Sequence, residues 1–386
     1  MPVAPTLIQG SRDTQTLNTE TRRSRDVNPA LAMLEPDSGP LSTILTKLRK
    51  KGAIDPKVEW FEDQLLPRFD VLAADVAAVD ATITVTNFKF FRAGDLIRIN
   101  KSEVVRCTAT PTTTVVTVKR GVGEVAAKTA TSGQQLHIIG NSNAEGASVR
   151  SLLSTQRVPV FNYLQILRDP WGVSKTQKAT ASFAGQDWTE EAQKQLIEHK
   201  KHMELILMAG QRNEDTTGAP IRSTRGFEQF VSSNVTAING ALTETLLDNF
   251  MRTGFRYGSK SKLLICSPVV SMAINGFAKP KLRLMEKAKT YGITLTAYEM
   301  AGRTLLLHDS VLMTNNDLND FSGLAGEAFL IDIEDLTLRY IAGRFAIHNE
   351  NIQAPDADGR IDEYLSEFGL ELHQEAMHGK LTGING

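Results

Sequence analysis

The sequence has almost no cysteine, no surplus of either charge and no long apolar run, and each shortage removes a class of protein. Two cysteines in 386 residues, Cys107 and Cys266, cannot build a disulfide framework, so two small buried thiols are expected. Lys and Arg number 43 against 44 Asp and Glu, a formal net charge of −1. Proteins dedicated to gripping a phosphate backbone carry a basic surplus, because counterion release drives that binding. This chain lacks one overall, which argues against a dedicated DNA-binding domain. No stretch approaches the roughly eighteen apolar residues of a membrane span, so no membrane partner is expected. The start, Met1-Pro2-Val3-Ala4-Pro5, has no charged segment followed by an apolar one, and no secretory signal is predicted.

What is present is enough chain for two or three domains and, at 41% hydrophobic residues, for a sizeable core. Residues 1–52 are polar, with Arg12, Arg22, Arg23, Arg25, Lys47, Arg49, Lys50 and Lys51 set against five acidic residues. On composition this is an arm that cannot build its own core. Between residues 80 and 140 short β-branched runs recur: Thr82-Ile83-Thr84-Val85-Thr86, Asp95-Leu96-Ile97-Arg98-Ile99, Glu103-Val104-Val105-Arg106-Cys107, Val115-Val116-Thr117-Val118-Lys119 and Gln135-Leu136-His137-Ile138-Ile139. They read as a small antiparallel sheet or barrel. An extended stretch over 159–167 follows and is expected to turn at Asp169-Pro170-Trp171-Gly172. Its antiparallel partner is expected around 57–61, which makes the β module an insertion in a two-stranded excursion.

A long helix is predicted from Asp187 to about Gln211, roughly 36 Å at 1.5 Å per residue. Asp187 and Glu190 form a capping-box-like start. Trp188, Ala192, Leu196, Met203 and Ile206/Leu207 make its apolar stripe, and Glu190, Lys194, Glu198, Lys201 and Glu204 are expected to point away. The rest alternates: a helix over 243–252, a strand over 262–266, and a short helix from Pro268 capped by Ser267 and ended by Gly276. Then come a hairpin of 292–299 with 304–308, strands over 328–333 and 336–341, and one long alternating closing segment over 363–381. This is α+β, without the regular alternation of a doubly wound sheet.

Motifs for chemistry come close and fail. Gly254-Phe255-Arg256-Tyr257-Gly258-Ser259-Lys260-Ser261 has three residues between its glycines rather than four, and it leads into a strand where a phosphate cradle needs a helix. Asp356-Ala357-Asp358-Gly359 lacks the first carboxylate and the closing glutamate of a calcium loop. Gly140-Asn141-Ser142-Asn143-Ala144 lacks the second glycine of a nucleophile elbow. His199 and His202 sit one turn apart but without further ligands, and a solvated helix face is expected. No catalytic, cofactor-binding or metal-ligating residue is assigned.

An arm, a long excursion, a spine helix, an α+β domain and a closing strand, in that order, resemble the major capsid proteins of tailed double-stranded DNA bacteriophages. The resemblance is to the group with a β module inserted in the extended loop. It is carried by Gly94-Asp95-Leu96-Ile97-Arg98, Glu103-Val104-Val105-Arg106, Thr117-Val118-Lys119-Arg120-Gly121 and Ile138-Ile139-Gly140-Asn141 in the module. Elsewhere it is carried by Arg25-Asp26-Val27-Asn28-Pro29, Asn162-Tyr163-Leu164-Gln165-Ile166, Leu264-Ile265-Cys266-Ser267-Pro268 and His378-Gly379-Lys380-Leu381-Thr382-Gly383-Ile384.

The resemblance implies a Hong Kong 97-like fold. Its parts are an N-terminal arm (1–54), an extended loop (55–79 and 144–186), the inserted β module (80–143), a peripheral domain with the spine helix (187–225 and 342–386) and an axial domain (226–341). It implies a non-enzymatic structural protein that self-assembles as hexamers and pentamers of an icosahedral shell around packaged double-stranded DNA. That DNA would be touched weakly and without sequence preference. Portal, scaffolding and decoration proteins are the further partners implied, with assembly in the host bacterial cytoplasm and a final place in the virion capsid. Arg22, Arg23, Arg25 and Trp171 are expected at contacts between subunits. Two alternatives are an encapsulin-like compartment of the same fold and an intracellular enzyme with a β accessory domain.

Overall fold

The computed structural model describes residues 40–100, 103–180, 187–278, 288–290, 293–300, 302–314 and 322–385. Two units divide the chain: Trp60–Val160, and Met1–Glu59 together with Phe161–Gly386.

In the first of these, alternating side chains make a small antiparallel barrel. Six strands run in the order Phe69–Val71, Gln135–Asn141, Asp95–Ile99, Glu103–Cys107, Val115–Lys119 and Thr82–Thr84. Every second residue turns inward, so Ile97, Ile99, Val105, Cys107, Val116, Val118 and Leu136 form a dry centre with Leu72, Ile83, Val85 and Phe91. The first and last strands meet: Leu72 bridges Val85, and the Ala73 N–H donates to the Thr84 carbonyl at 2.9 Å. Closure removes both sheet edges, and it requires Phe69–Val71, which the sequence reading places in the loop before residue 80. That strand was missed because it is three residues long and its middle residue is Asp70. Asp70 is buried, and its carboxylate accepts the Asn87 N–H at 2.9 Å.

The expected excursion is present as a two-stranded ribbon, Lys57–Glu62 with Val158–Tyr163. Beyond it the chain does not turn at Asp169-Pro170-Trp171-Gly172. It continues as one strand, Gln165–Ser174, paired along its length with Gly359–Leu372. Gln165–Ser174 is an edge strand, and an edge position tolerates a proline that lacks an N–H to donate.

The larger unit holds two large sheets beside the small antiparallel pair Asn213–Asp215 with Ile221–Ser223. The five-stranded one runs Lys50–Ala53, Leu336–Ile341, Gly359–Leu372, Gln165–Ser174, with Ile347–Asn349 also on Gly359–Leu372. The seven-stranded one runs Val235–Gly240, Gly379–Ile384, Ala328–Ile331, Ser261–Cys266, Arg303–Asp309, Ile293–Met300, Ala288–Thr290. Its core gathers Leu247, Phe250, Met251, Leu264, Val270 and Leu330. The helix Glu244–Gly254 starts where expected, with the Thr243 side chain accepting the Leu246 N–H. The helix Pro268–Ala278 runs through Gly276 rather than ending before it, and the Ser267 hydroxyl instead accepts the Gly326 N–H at 3.2 Å.

The closing segment is two strands, not one. Gln374 takes a left-handed backbone at φ 50° and breaks the run after Leu372. The last strand, Gly379–Ile384, then joins the other sheet, where Phe250 packs so close to Gly379 that a Cβ would meet its ring at 2.9 Å. The end of the segment placed in 342–386 therefore lies in the sheet built from 226–331, and Leu336–Ile341 lies in the five-stranded sheet. Residues 40–53, counted in the coreless arm, are also embedded. The helix Pro40–Leu48 buries Leu41, Ile44 and Leu45, and Lys50–Ala53 pairs in parallel with Leu336–Ile341.

Candidate functional site: the spine helix and its anchors

The spine helix spans Asp187–Ala209, close to its expected length. Its single-stripe reading fails at the C-terminal half, because that half is packed on several sides: by Gln165–Ser174, by Gly359–Leu372, by the helix Pro40–Leu48 and by the short helix Phe227–Phe230. Met203, Leu207 and Met208 are buried as a stripe would require, but so are Lys201 and Glu204, while Leu196 is exposed.

Glu204 is fully enclosed and caps another helix. Its two carboxylate oxygens accept the N–H groups of Leu41 at 2.9 Å and Ser42 at 2.6 Å. These belong to the first turn of Pro40–Leu48, whose leading proline has no N–H to satisfy. Burial drives the Glu204 carboxyl up to about 7, against the pull of those donors. The spine thus holds the root of the N-terminal arm.

His199 is not on a solvated face. It is buried, with Nδ1 2.5 Å from Asp169 Oδ2 and Nε2 2.8 Å from Ser366 Oγ. His202 reaches the other oxygen, Asp169 Oδ1, at 3.0 Å. The order aspartate, histidine, serine is that of a hydrolase triad. Ser366, however, is fully buried, and its hydroxyl accepts the Ala346 N–H at 3.1 Å, so no substrate reaches it. The set fits a neutral His199 that donates to Asp169 and accepts from Ser366. Burial agrees, holding the His199 imidazole below its ordinary value despite the carboxylate beside it. Its effect is to tie helix to strands across three segments distant in sequence. The same strands stack Trp171 on Tyr364 at 4.4 Å and on His348 at 5.1 Å between ring centroids. Trp171, expected at a subunit contact, is buried inside its own chain. Arg22, Arg23 and Arg25 lie outside the described residues.

A second polar cluster lies under the phosphate-loop-like sequence. The loop already holds an anion, because Asp332 Oδ2 accepts the Ser259 N–H at 2.7 Å and Asp332 Oδ1 accepts the Ser259 hydroxyl at 2.9 Å. Gly258 makes the turn at φ 81°, and a side chain there would strike the Asp332 carboxylate. Buried Lys262 donates to the carbonyls of Gly254, Tyr257 and Met377 at 2.9, 2.8 and 2.5 Å, beside Asp332 at 3.7 Å. Burial keeps His378 neutral, with its imidazole pushed down to about 4, and its Nδ1 accepts the Asp332 N–H at 3.2 Å.

In the barrel, fragments that carried the resemblance turn out to be one structural device. Glu103 is buried and binds Arg120 through both oxygens, at 2.8 and 2.6 Å, while also accepting the N–H groups of Gly121 at 3.0 Å and Lys128 at 3.1 Å. Burial pushes this carboxyl up, but Arg120 and the two N–H donors outweigh it and hold it below its ordinary value. Asp95 takes Arg150 at 2.5 Å and the Arg92 N–H at 2.7 Å. Cys107 and Cys266 are buried, free thiols, pushed by burial up to about 11 and about 12. Among the described residues, no group of three or more His, Cys, Asp and Glu stands in metal-holding geometry, and no helix is long and apolar enough to cross a membrane.

A family model described as SU10 major capsid protein matches residues 9–385. The major capsid protein of Pseudomonas phage PaMx41 is 23% identical over 245 residues, covering 60% of this chain and 57% of that protein, so the match spans less than two thirds of the relative's length. Among solved structures, the capsid of a native GTA particle aligns over 97% of this chain and 100% of its own, with TM-score 0.51 and 8% identity. Gordonia phage Cozz aligns over 100% and 98%, with TM-score 0.50 and 11% identity. At such identities the shared property is the fold.

Proposed function

The chain belongs to the SU10 major capsid protein family and has the Hong Kong 97-like capsid fold, and from that premise we propose that it assembles as hexamers and pentamers of an icosahedral shell enclosing packaged double-stranded DNA. The family match over nearly the whole chain carries this reading. Surface chemistry supports it: Ile54, Phe61, Leu65, Val149 and Leu152, on or flanking the ribbon, are exposed apolar side chains, uncovered among the described residues. Exposed apolar area of this kind marks surfaces that another protein covers. In this reading residues 1–39 form an arm laid on neighbours, the ribbon and its flanks form the extended loop, and the barrel stands on that loop at the outer surface or along subunit seams. Portal, scaffolding and decoration proteins are its partners, assembly takes place in the host cytoplasm, and the product is the virion capsid. Contacts in the shell bury more than about 2,000 Å² per subunit.

The test is negative-stain microscopy and light scattering of the purified full chain. Uniform shells, or rings of five and six subunits, are expected. A stable monomer whose ribbon and arm are protected from hydrogen exchange refutes the reading. The buried Ser366 and the pre-occupied loop at Ser259 favour the shell over the enzyme alternative, since neither cluster admits a substrate.

A further inference from the structure

Lys47, Arg49, Lys50 and Lys51 are four cations in five positions, all exposed, and among the described residues none has a carboxylate within ion-pair distance. Their backbone is fixed: the Arg49 N–H donates to the Leu45 carbonyl at 3.0 Å, and the Arg49 carbonyl accepts the Leu338 N–H at 2.7 Å. Lys50–Ala53 is the edge of its sheet, hydrogen-bonded on one side only. Among the described residues, two carboxylates lie within their field, Asp335 with Arg49 and Glu371 with Lys51, and neither comes within ion-pair distance. Glu371 is buried against Arg339 at 3.3 Å and His373 at 2.6 Å, and Asp335 is half-buried. A chain of net charge −1 attracts a polyanion only where cations are concentrated and uncompensated. Three of the four are lysines, mobile point charges suited to phosphate of any sequence rather than to a fixed carboxylate fork.

We propose that Lys47, Arg49, Lys50 and Lys51 form a contact surface for the phosphate backbone of double-stranded DNA, without base readout. The inference rests on the shell reading above and places this sheet edge toward the packaged DNA.

The experiment measures binding of the unassembled full chain to short duplex DNA of two unrelated sequences across a salt series. Three proteins are compared. One is wild type. The second combines Lys47→Gln, Arg49→Gln, Lys50→Gln and Lys51→Gln. The third, with Lys89→Gln, Lys119→Gln, Lys178→Gln and Lys200→Gln, removes the same charge from other exposed positions. The first quadruple variant should lower the slope of log affinity against log salt by about 3–4, equally for both sequences, as expected for some four phosphate contacts. The second should keep most of the wild-type slope. Equal losses in both variants, or no loss in the first, overturn the proposal. So does wild-type DNA binding in a first variant that no longer assembles, since the run then meets an acidic neighbour instead. Assembly is scored separately by microscopy, so failure of the wild type to form shells sinks the shell reading and leaves the salt slopes to be judged on their own.

Discussion

A carboxylate buried without a cation has to be neutralised by dipoles or by a proton, and Glu204 has both within reach. Two N–H groups of a helix N-terminus bind it, yet burial raises its carboxyl to about 7 from 4.5. A raised acid binds more protons folded than unfolded, so its contribution is fully present below about 4.5 and is lost as pH rises through about 7. The size of that loss is about 3 kcal/mol. Glu204→Gln cannot titrate, and its amide leaves one N–H of the helix poorly accepted, at a cost of about 1–3 kcal/mol. Denaturant unfolding of the unassembled chain should therefore show wild type losing its advantage over Glu204→Gln between pH 4.5 and 7, with parallel curves above. Parallel curves throughout would remove Glu204 as the titrating group. Residues of this kind are the least legible in a sequence. His199 and His202 were correctly placed one turn apart, but Asp169 and Ser366 are brought to them only by the fold. Nothing local separates Glu204 from the solvated glutamates around it.

Secondary structure was legible where strict alternation controlled burial, as in the barrel strands, and the spine helix and the strand Ser261–Cys266 match their expected extents although neither is buried along a single period. It failed where a local signal was overruled by pairing. Asp169-Pro170-Trp171-Gly172 has turn chemistry but lies against Glu363, Asp362 and their neighbours as an edge strand. The closing segment kept its apolar pattern while changing sheets at Gln374. The barrel offers a test at this scale, because the Glu103–Arg120 pair joins the strand Glu103–Cys107 to the loop carrying Gly121 and Lys128. Arg120→Met strands a buried carboxylate and should destabilise the barrel by about 3–5 kcal/mol, whereas adding Glu103→Gln should recover much of the loss. The readout is local. Cys107 sits in the barrel core and Cys266 in the other unit, so thiol labelling should accelerate at Cys107 and not at Cys266. Equal acceleration at both would mean that the pair does not govern the barrel alone.

For the whole molecule, the position of the arm's root sets what the arm can do. Glu204 and the buried Leu41, Ile44 and Leu45 fix residues 40–48, and Lys50–Ala53 is a strand of the five-stranded sheet. Any segment before residue 40 is thus tethered to the subunit by a firm anchor, and tension on it is carried into the spine helix rather than into a loop. In the shell reading, such a tether clasps a neighbour, and Arg22, Arg23 and Arg25 supply planar cations for bidentate pairs with its carboxylates. Deleting residues 1–30 leaves every anchor in place, so the subunit should keep its thermal unfolding and its Cys107 and Cys266 protection. Shells should then fail to form, or should dissociate at lower temperature, because only contacts between subunits are lost. Truncated protein that builds shells of unchanged thermal stability refutes the clasp. Shells that assemble normally yet release DNA at lower salt assign the three arginines to the packaged DNA instead, adding to the cationic run at Lys47–Lys51 the same kind of phosphate contact.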